Sequence, residues 1–124
     1  MTRILVIDDE DQMRGMLRQA LERAGYEVEE ARNGREGLWR YRQAPVPLII
    51  TDILMPEKEG LEIIRALRRE YPDVKIIAIS GGGRTGNLNF LDIAAKLGAH
   101  RTLQKPFGLR ELLQAVRELV PVQT

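Results

Sequence analysis

The chain contains no cysteine. Disulfides and thiolate metal sites are excluded, and the composition fits a cytoplasmic protein. No apolar run approaches the roughly 18 residues of a membrane helix, which excludes a spanning segment. Neither sign of charge dominates: 19 basic residues against 18 acidic leave a net charge of +1. That gives no basis for direct nucleic-acid or membrane binding. Histidine occurs once, at position 100, on the expected surface, and nothing marks it as a phosphotransfer group. Repeats, low-complexity tracts and linkers are also missing. With strand one beginning at Arg3 or Ile4, no signal peptide is expected before it.

What remains is ordinary for a soluble domain. The 124 residues, 44% hydrophobic and 30% charged, suffice for one core and are too apolar for disorder. A single domain over 1–124 is expected, its core running from about 3 to 120. No attached output domain is visible.

Strand and helix patterns alternate five times. Ile4–Ile7, Pro47–Thr51 and Lys75–Ser80 are short apolar runs, the kind buried on both sheet faces. Tyr26–Ala31 carries Glu27, Glu29 and Glu30, and Arg101–Gln104 is also polar, so both suit sheet edges. Helical spacing predicts Asp11–Ala24, Gly34–Gln43, Gly60–Tyr71, Leu88–Leu97 and Leu109–Val120. The inward stripes include Met13, Met16, Leu17 and Leu21 in the first and Leu109, Leu112 and Val116 in the last. Gly25 and Gly98 stop two of the helices. This alternation implies a doubly wound α/β domain with a five-stranded parallel sheet of order 2-1-3-4-5 and helices on both faces. Its switch point lies beyond the carboxyl ends of strands one and three.

Charged or hydroxyl residues terminate four of the five strands. Asp8 and Asp9 follow the first, Asp52 the third, Ser80 ends the fourth and Lys105 follows the fifth. Each has a bland reading alone. Asp8–Asp11 can cap a helix, Asp52 can belong to a turn, and Lys105 can be a solvated loop residue. In a parallel sheet, however, all these ends share one rim. Two carboxylates about 5 Å apart repel by roughly 3 kcal/mol at an effective dielectric near 20. Three need counter-charge: Lys105, and a hard cation such as Mg²⁺ with oxygen ligands. A carboxylate placed there can attack phosphorus and become an acyl phosphate.

Read together, Ile4–Glu10, Leu48–Pro56, Gly60-Leu61-Glu62, Ile77–Ser80 and Lys105-Pro106-Phe107 resemble the receiver domain of bacterial response regulators, CheY-like with a flavodoxin-like fold. The resemblance runs from Ile4 to about Val120. It implies that Asp52 accepts phosphate from a histidine kinase or phosphotransfer protein. Asp9 would ligate Mg²⁺ directly, Asp8 would assist, and the backbone carbonyl of Leu54 would be a further ligand. Ser80 and Lys105 would hold the phosphoryl oxygens, with Lys105-Pro106 cis. Such a domain is no classical enzyme; it catalyses only its own phosphoryl transfer and dephosphorylation. Its output partner or output domain is unspecified, and the surface of helix four, strand five and helix five would carry the signal or a homodimer contact.

Some residues depart from the family pattern. Thr102 stands where an aromatic switch residue is usual, leaving Ser80 and Thr102 as a pair of small hydroxyls. A glycine-rich stretch, Gly81-Gly82-Gly83-Arg84, follows Ser80; it is read as a loop rather than a lid, and no Gly-Lys-Ser/Thr follows to make a nucleotide loop. Lys58-Glu59 precedes Gly60 where Asp is common. Two other classes stay open: a phosphate-independent interaction module and a Mg²⁺-dependent aspartyl-phosphate phosphatase, though Leu54 lacks the second acid of the latter. Trp39 is assigned no function beyond a fluorescence reporter.

Overall fold

The computed structural model describes residues 1–53, 59–80 and 90–122. Its elements alternate as β1 (Arg3–Ile7), α1 (Asp11–Arg23), β2 (Glu27–Ala31), α2 (Gly34–Gln43), β3 (Leu48–Asp52), α3 (Glu59–Glu70), β4 (Lys75–Ser80), α4 (Phe90–Leu97), β5 (Arg101–Gln104) and α5 (Leu109–Leu119). The strands form one parallel sheet of order β2-β1-β3-β4-β5. The polar strands β2 and β5 are its edges, where Glu and Arg discourage further pairing.

The side-chain period of two splits each central strand between two cores. Ile4 and Val6 of β1, Ile50 of β3 and Ile77 and Ile79 of β4 face Leu17 and Leu21 of α1 and Leu112 and Val116 of α5. Leu5, Ile7, Ile49 and Ile76 face Tyr41 of α2, Ile63, Ile64 and Leu67 of α3 and Ala94 of α4. Burying each large aliphatic side chain of this kind is worth about 1.5–3 kcal/mol. The two faces therefore hold β1 and β3 rigidly, and it is their carboxyl ends that matter below.

Helix ends follow local chemistry. Asn33 caps α2: its side chain accepts the Glu36 N–H at 2.8 Å, and the Glu36 carboxylate accepts the Arg32 N–H at 2.6 Å. This reciprocal pair satisfies two otherwise orphaned donors. Gly25 and Gly98 take φ of 101° and 127° just past their helices, a conformation that favours glycine.

Several expectations change. Met16 and Leu109 were expected inside but are 40% and 48% exposed. Position 16 sits beside the buried stripe of Leu17, Ala20 and Leu21 rather than on it, and Leu109 is the first residue of its helix. The charged Arg14 instead occupies the inward position, buried at 8% exposure. His100 is half-buried rather than superficial. Its Nδ1 accepts the Ile76 N–H at 3.2 Å. Burial, followed by the positive charges of Arg68, Lys75 and Arg101, pushes its pKa below the ordinary value.

Candidate functional site

β1 and β3 are hydrogen-bonded neighbours, with Ile7 opposite Thr51. Asp8 and Asp52 thus emerge one residue beyond the same register, from adjacent strands. Asp52 is the last residue of β3 itself rather than the first after it. β4 delivers Ser80 at the same rim, and the Lys105 N–H donates to the Ser80 carbonyl at 2.8 Å. The Lys105–Pro106 bond is cis.

The lysine ammonium lies among three carboxylates. Lys105 Nζ is 3.0 Å from Asp52 Oδ2, 3.4 Å from Glu10 Oε1 and 3.7 Å from Asp8 Oδ2. Asp8, Asp52 and Ser80 are buried, with Asp8 at 1% and Asp52 at 4% exposure. Burial opposes the Lys105 charge. The hydrogen bond and charge of Asp52, with Asp8 and Glu10, outweigh it and hold the lysine above its ordinary pKa.

Asp8 is the strained member electrostatically. Its Oδ1 accepts the Glu10 N–H at 2.9 Å. Its Oδ2 is buried with no hydrogen-bond partner among the described residues. Burial first, and then the neighbouring charges of Asp52 and Asp9, push its pKa up to about 6, against the pull of the Glu10 N–H and Lys105. One ammonium does not neutralise three acids. Carboxylate oxygens of Asp8, Glu10 and Asp52 lie within 4.8 Å of one another. An orphaned buried carboxylate oxygen facing other hard oxygen donors fits a divalent cation of the Mg²⁺ type.

The residues singled out in the sequence are thus partly assembled. Asp8, Asp52 and Lys105 come together, and Ser80 ends the strand beside Asp52. Asp9 is exposed and its carboxylate is outside that close group. Glu10, which the sequence reading left unassigned, takes the third place. Thr102 is half-buried and pairs with Ala78, while Gln104 lies opposite Ser80. The Leu54 carbonyl and the stretch 81–89, including the first residues expected in helix four, fall outside the described residues.

Two further contacts fix the rim. Gly60 packs so closely that a Cβ there would collide with the backbone of Asp52 and Ile53, which locks the start of α3 onto the end of β3. Arg14 of α1 donates to the Asp8 carbonyl at 2.8 Å and to Glu30 of β2 at 3.1 Å, and also pairs with Asp11. It ties three elements around the acidic turn. Its position, three residues before Leu17 and seven before Leu21, was the available signal that this arginine points inward.

The sequence profile of the response regulator receiver domain matches residues 4–117. The chain belongs to that family. The receiver is 39% identical over 120 residues to the response regulator receiver protein CpdR of Brucella abortus, covering 97% of this chain and 98% of CpdR. It is 38% identical to the DNA-binding transcriptional regulator NtrC of Azospirillum brasilense, covering 98% of this chain but 24% of NtrC. Among solved structures it superposes on the response regulator TrrA of Thermotoga maritima, determined in complex with Mg²⁺-BeF. The TM-score is 0.83 at 34% identity, covering 97% of this chain and 100% of TrrA. The receiver therefore spans the full length of some relatives and about a quarter of another. It is a two-component signalling domain, a class that is generally not a classical enzyme.

Proposed function

We propose that this receiver accepts a phosphoryl group on Asp52 from the phosphohistidine of a kinase or phosphotransfer protein, and that the charge so gained changes its binding to an output partner. The observation that carries the reading is the 3.0 Å contact of Lys105 with Asp52 at the floor of a buried acidic rim.

An Asp52 oxygen attacks phosphorus, and the P–N bond to the donor imidazole breaks. The imidazole leaves with its electron pair and takes up a proton, and Asp52 becomes an acyl phosphate. Such transfers depend on positioning and charge neutralisation more than on acid–base help. Lys105 already holds the attacked carboxylate and would follow the new phosphoryl oxygens; the Ser80 hydroxyl supplies a second donor. Asp8, Glu10 and Asp52, with Asp9 beside them, would hold Mg²⁺. When bound, the ion neutralises the phosphoryl oxygens and the carboxylates together. That the relative TrrA was solved with Mg²⁺-BeF supports Mg²⁺ as the ion.

The output end lies along the β5 edge. A groove of about 210 Å³ there is lined by Arg101, Thr102 and Leu103 of β5 and Glu111, Gln114 and Glu118 of α5. Lys105 follows directly from this strand, so a phosphoryl group that draws Lys105 shifts the population of β5 and its groove. Thr102 would accompany Ser80 in that shift. A coupling of about 1–3 kcal/mol suffices for a several-fold to hundredfold change in partner affinity. No helix among the described residues is long and apolar enough to cross a membrane. A phosphohistidine donor charged from ATP places the reaction in the cytoplasm.

Incubation with Mg²⁺ and acetyl phosphate, followed by intact mass measurement, tests the chemistry. One phosphoryl adduct is expected in the wild type, and none in Asp52→Asn or with EDTA. An undiminished adduct in Asp52→Asn would overturn the assignment.

A further inference from the structure

β4 and β5 pair regularly from Ile77 opposite Arg101 to Ser80 opposite Gln104. One residue earlier the pairing is completed in a different way. The His100 N–H donates to the Ile76 carbonyl at 2.7 Å. The Ile76 N–H finds its acceptor not on the β5 backbone but in a side chain: His100 Nδ1 takes it at 3.2 Å. The backbone has already turned away at this point. Gly98 lies just past α4 at φ 127°, and its carbonyl accepts Arg68 Nη2 from α3 at 3.2 Å. Ile76 is buried, so its N–H depends on the imidazole.

We propose that His100 is a proton-operated latch at the α4–β5 junction: neutral, its ring ties the start of β5 to β4, and protonated, it lets the α4–β5 turn open.

A ring nitrogen accepts a hydrogen bond only while it carries no proton; in the imidazolium both nitrogens donate. Protonation therefore sets N–H against N–H and leaves a buried backbone donor without its acceptor. The surrounding charges add to this. Arg68 of α3, Lys75 of β4 and Arg101 of β5 act on the ring, and all are positive. Glu118 of α5 is engaged with Arg101 at 3.5 Å, while Asp92 and Lys96 of α4 are exposed. Burial acts in the same direction, so the ring titrates below the ordinary value of 6.5. The folded chain favours the neutral ring. The latch is whole above that pH, and its contribution is lost as pH falls. The ring is half-buried, so a proton reaches it without global unfolding. Release is then a local opening of the turn and of the base of β5.

The proposal does not depend on phosphorylation at Asp52, and the test uses the unphosphorylated receiver. Ring titration and tautomer are followed by NMR, and amide protection factors are measured by hydrogen exchange from pH 7.5 to 4.5. The expected ring is protonated on Nε2 when neutral and titrates below 6.5. His100→Asn places a side-chain oxygen near the Nδ1 position but cannot titrate. His100→Phe keeps bulk without an acceptor. Asp8, with its pKa pushed up to about 6, titrates in the same range, so each amide is read as the ratio between receiver and variant at each pH. Ile76 protection should match His100→Asn at pH 7.5 and fall at least tenfold below it by pH 4.5, tracking the ring titration. The His100 amide should lose protection with it. In His100→Phe, Ile76 should be at least tenfold less protected at pH 7.5. A ring pKa at or above 6.5, a ring still neutral when the chain unfolds in acid, or a receiver-to-Asn ratio that ignores pH would overturn the proposal.

Discussion

Asp8→Asn should stabilise the metal-free receiver at neutral pH. The wild-type carboxylate is 1% exposed, and its Oδ2 has no hydrogen-bond partner among the described residues. Burial raises its pKa from 3.8 to about 6. That difference corresponds to roughly 3 kcal/mol of folding free energy lost at neutral pH. The sign follows from the two states. Below about pH 4 the group is protonated in both the folded and the unfolded chain, and nothing is lost. Between pH 4 and 6 only the unfolded chain ionises freely, so wild-type stability falls as pH rises. Above 6 the full penalty is present. Asparagine keeps the acceptor for the Glu10 N–H but forfeits the attraction to Lys105, 3.7 Å away. A net gain of about 1–2 kcal/mol is therefore expected. Urea denaturation in EDTA at pH 7.5 and pH 4 measures it: the variant should be more stable at the first and close to wild type at the second. Saturating Mg²⁺ should stabilise the wild type by about 2.7 kcal/mol at a hundredfold excess over Kd, and the variant by much less. Equal or lower stability of Asp8→Asn at pH 7.5, or a difference that ignores pH, would refute the reasoning.

Other substitutions probe the remaining supports. Lys105→Met leaves three carboxylates without their ammonium, and should cost about 1–3 kcal/mol in urea unfolding without metal and slow phosphoryl uptake from acetyl phosphate. Gly60→Ala forces a methyl group against the Asp52–Ile53 backbone; thermal unfolding should show a loss of about 1–3 kcal/mol. Arg14→Met retains the buried stem but removes the bonds to the Asp8 carbonyl and Glu30, with an expected loss of about 1–3 kcal/mol and weaker Mg²⁺ affinity by titration calorimetry.

The topology was legible because the chain punctuates itself. Three apolar runs end in Asp8, Ser80 and the Asp52 that closes β3, while glutamates mark β2 as an edge. Those same endings announced most of the rim, since parallel strands must bring their carboxyl ends together. Charge alone misled elsewhere. Arg14 drew no reading in the sequence, yet its guanidinium donates to the Asp8 carbonyl at the acidic turn. Glu10 looked like part of a capping run, yet its long side chain reaches back to Lys105. Met16 and Leu109 show the converse: helical period assigned them inward, but the stripe's edge and a helix's first residue are positions where packing, not period, decides. The bounds of β5, Arg101–Gln104, stand as read, but the register that sets Thr102 against Ala78 rather than Ser80 is a relation between two strands that neither strand's own residues signal.

The most direct test locates the phosphoryl group. The receiver is treated with acetyl phosphate with and without Mg²⁺, reduced with borohydride to convert an aspartyl phosphate to homoserine, and peptide-mapped by mass. The account predicts conversion at position 52, dependent on Mg²⁺. Conversion at Asp8 or Asp9 instead, none anywhere, or equal conversion in EDTA would contradict it.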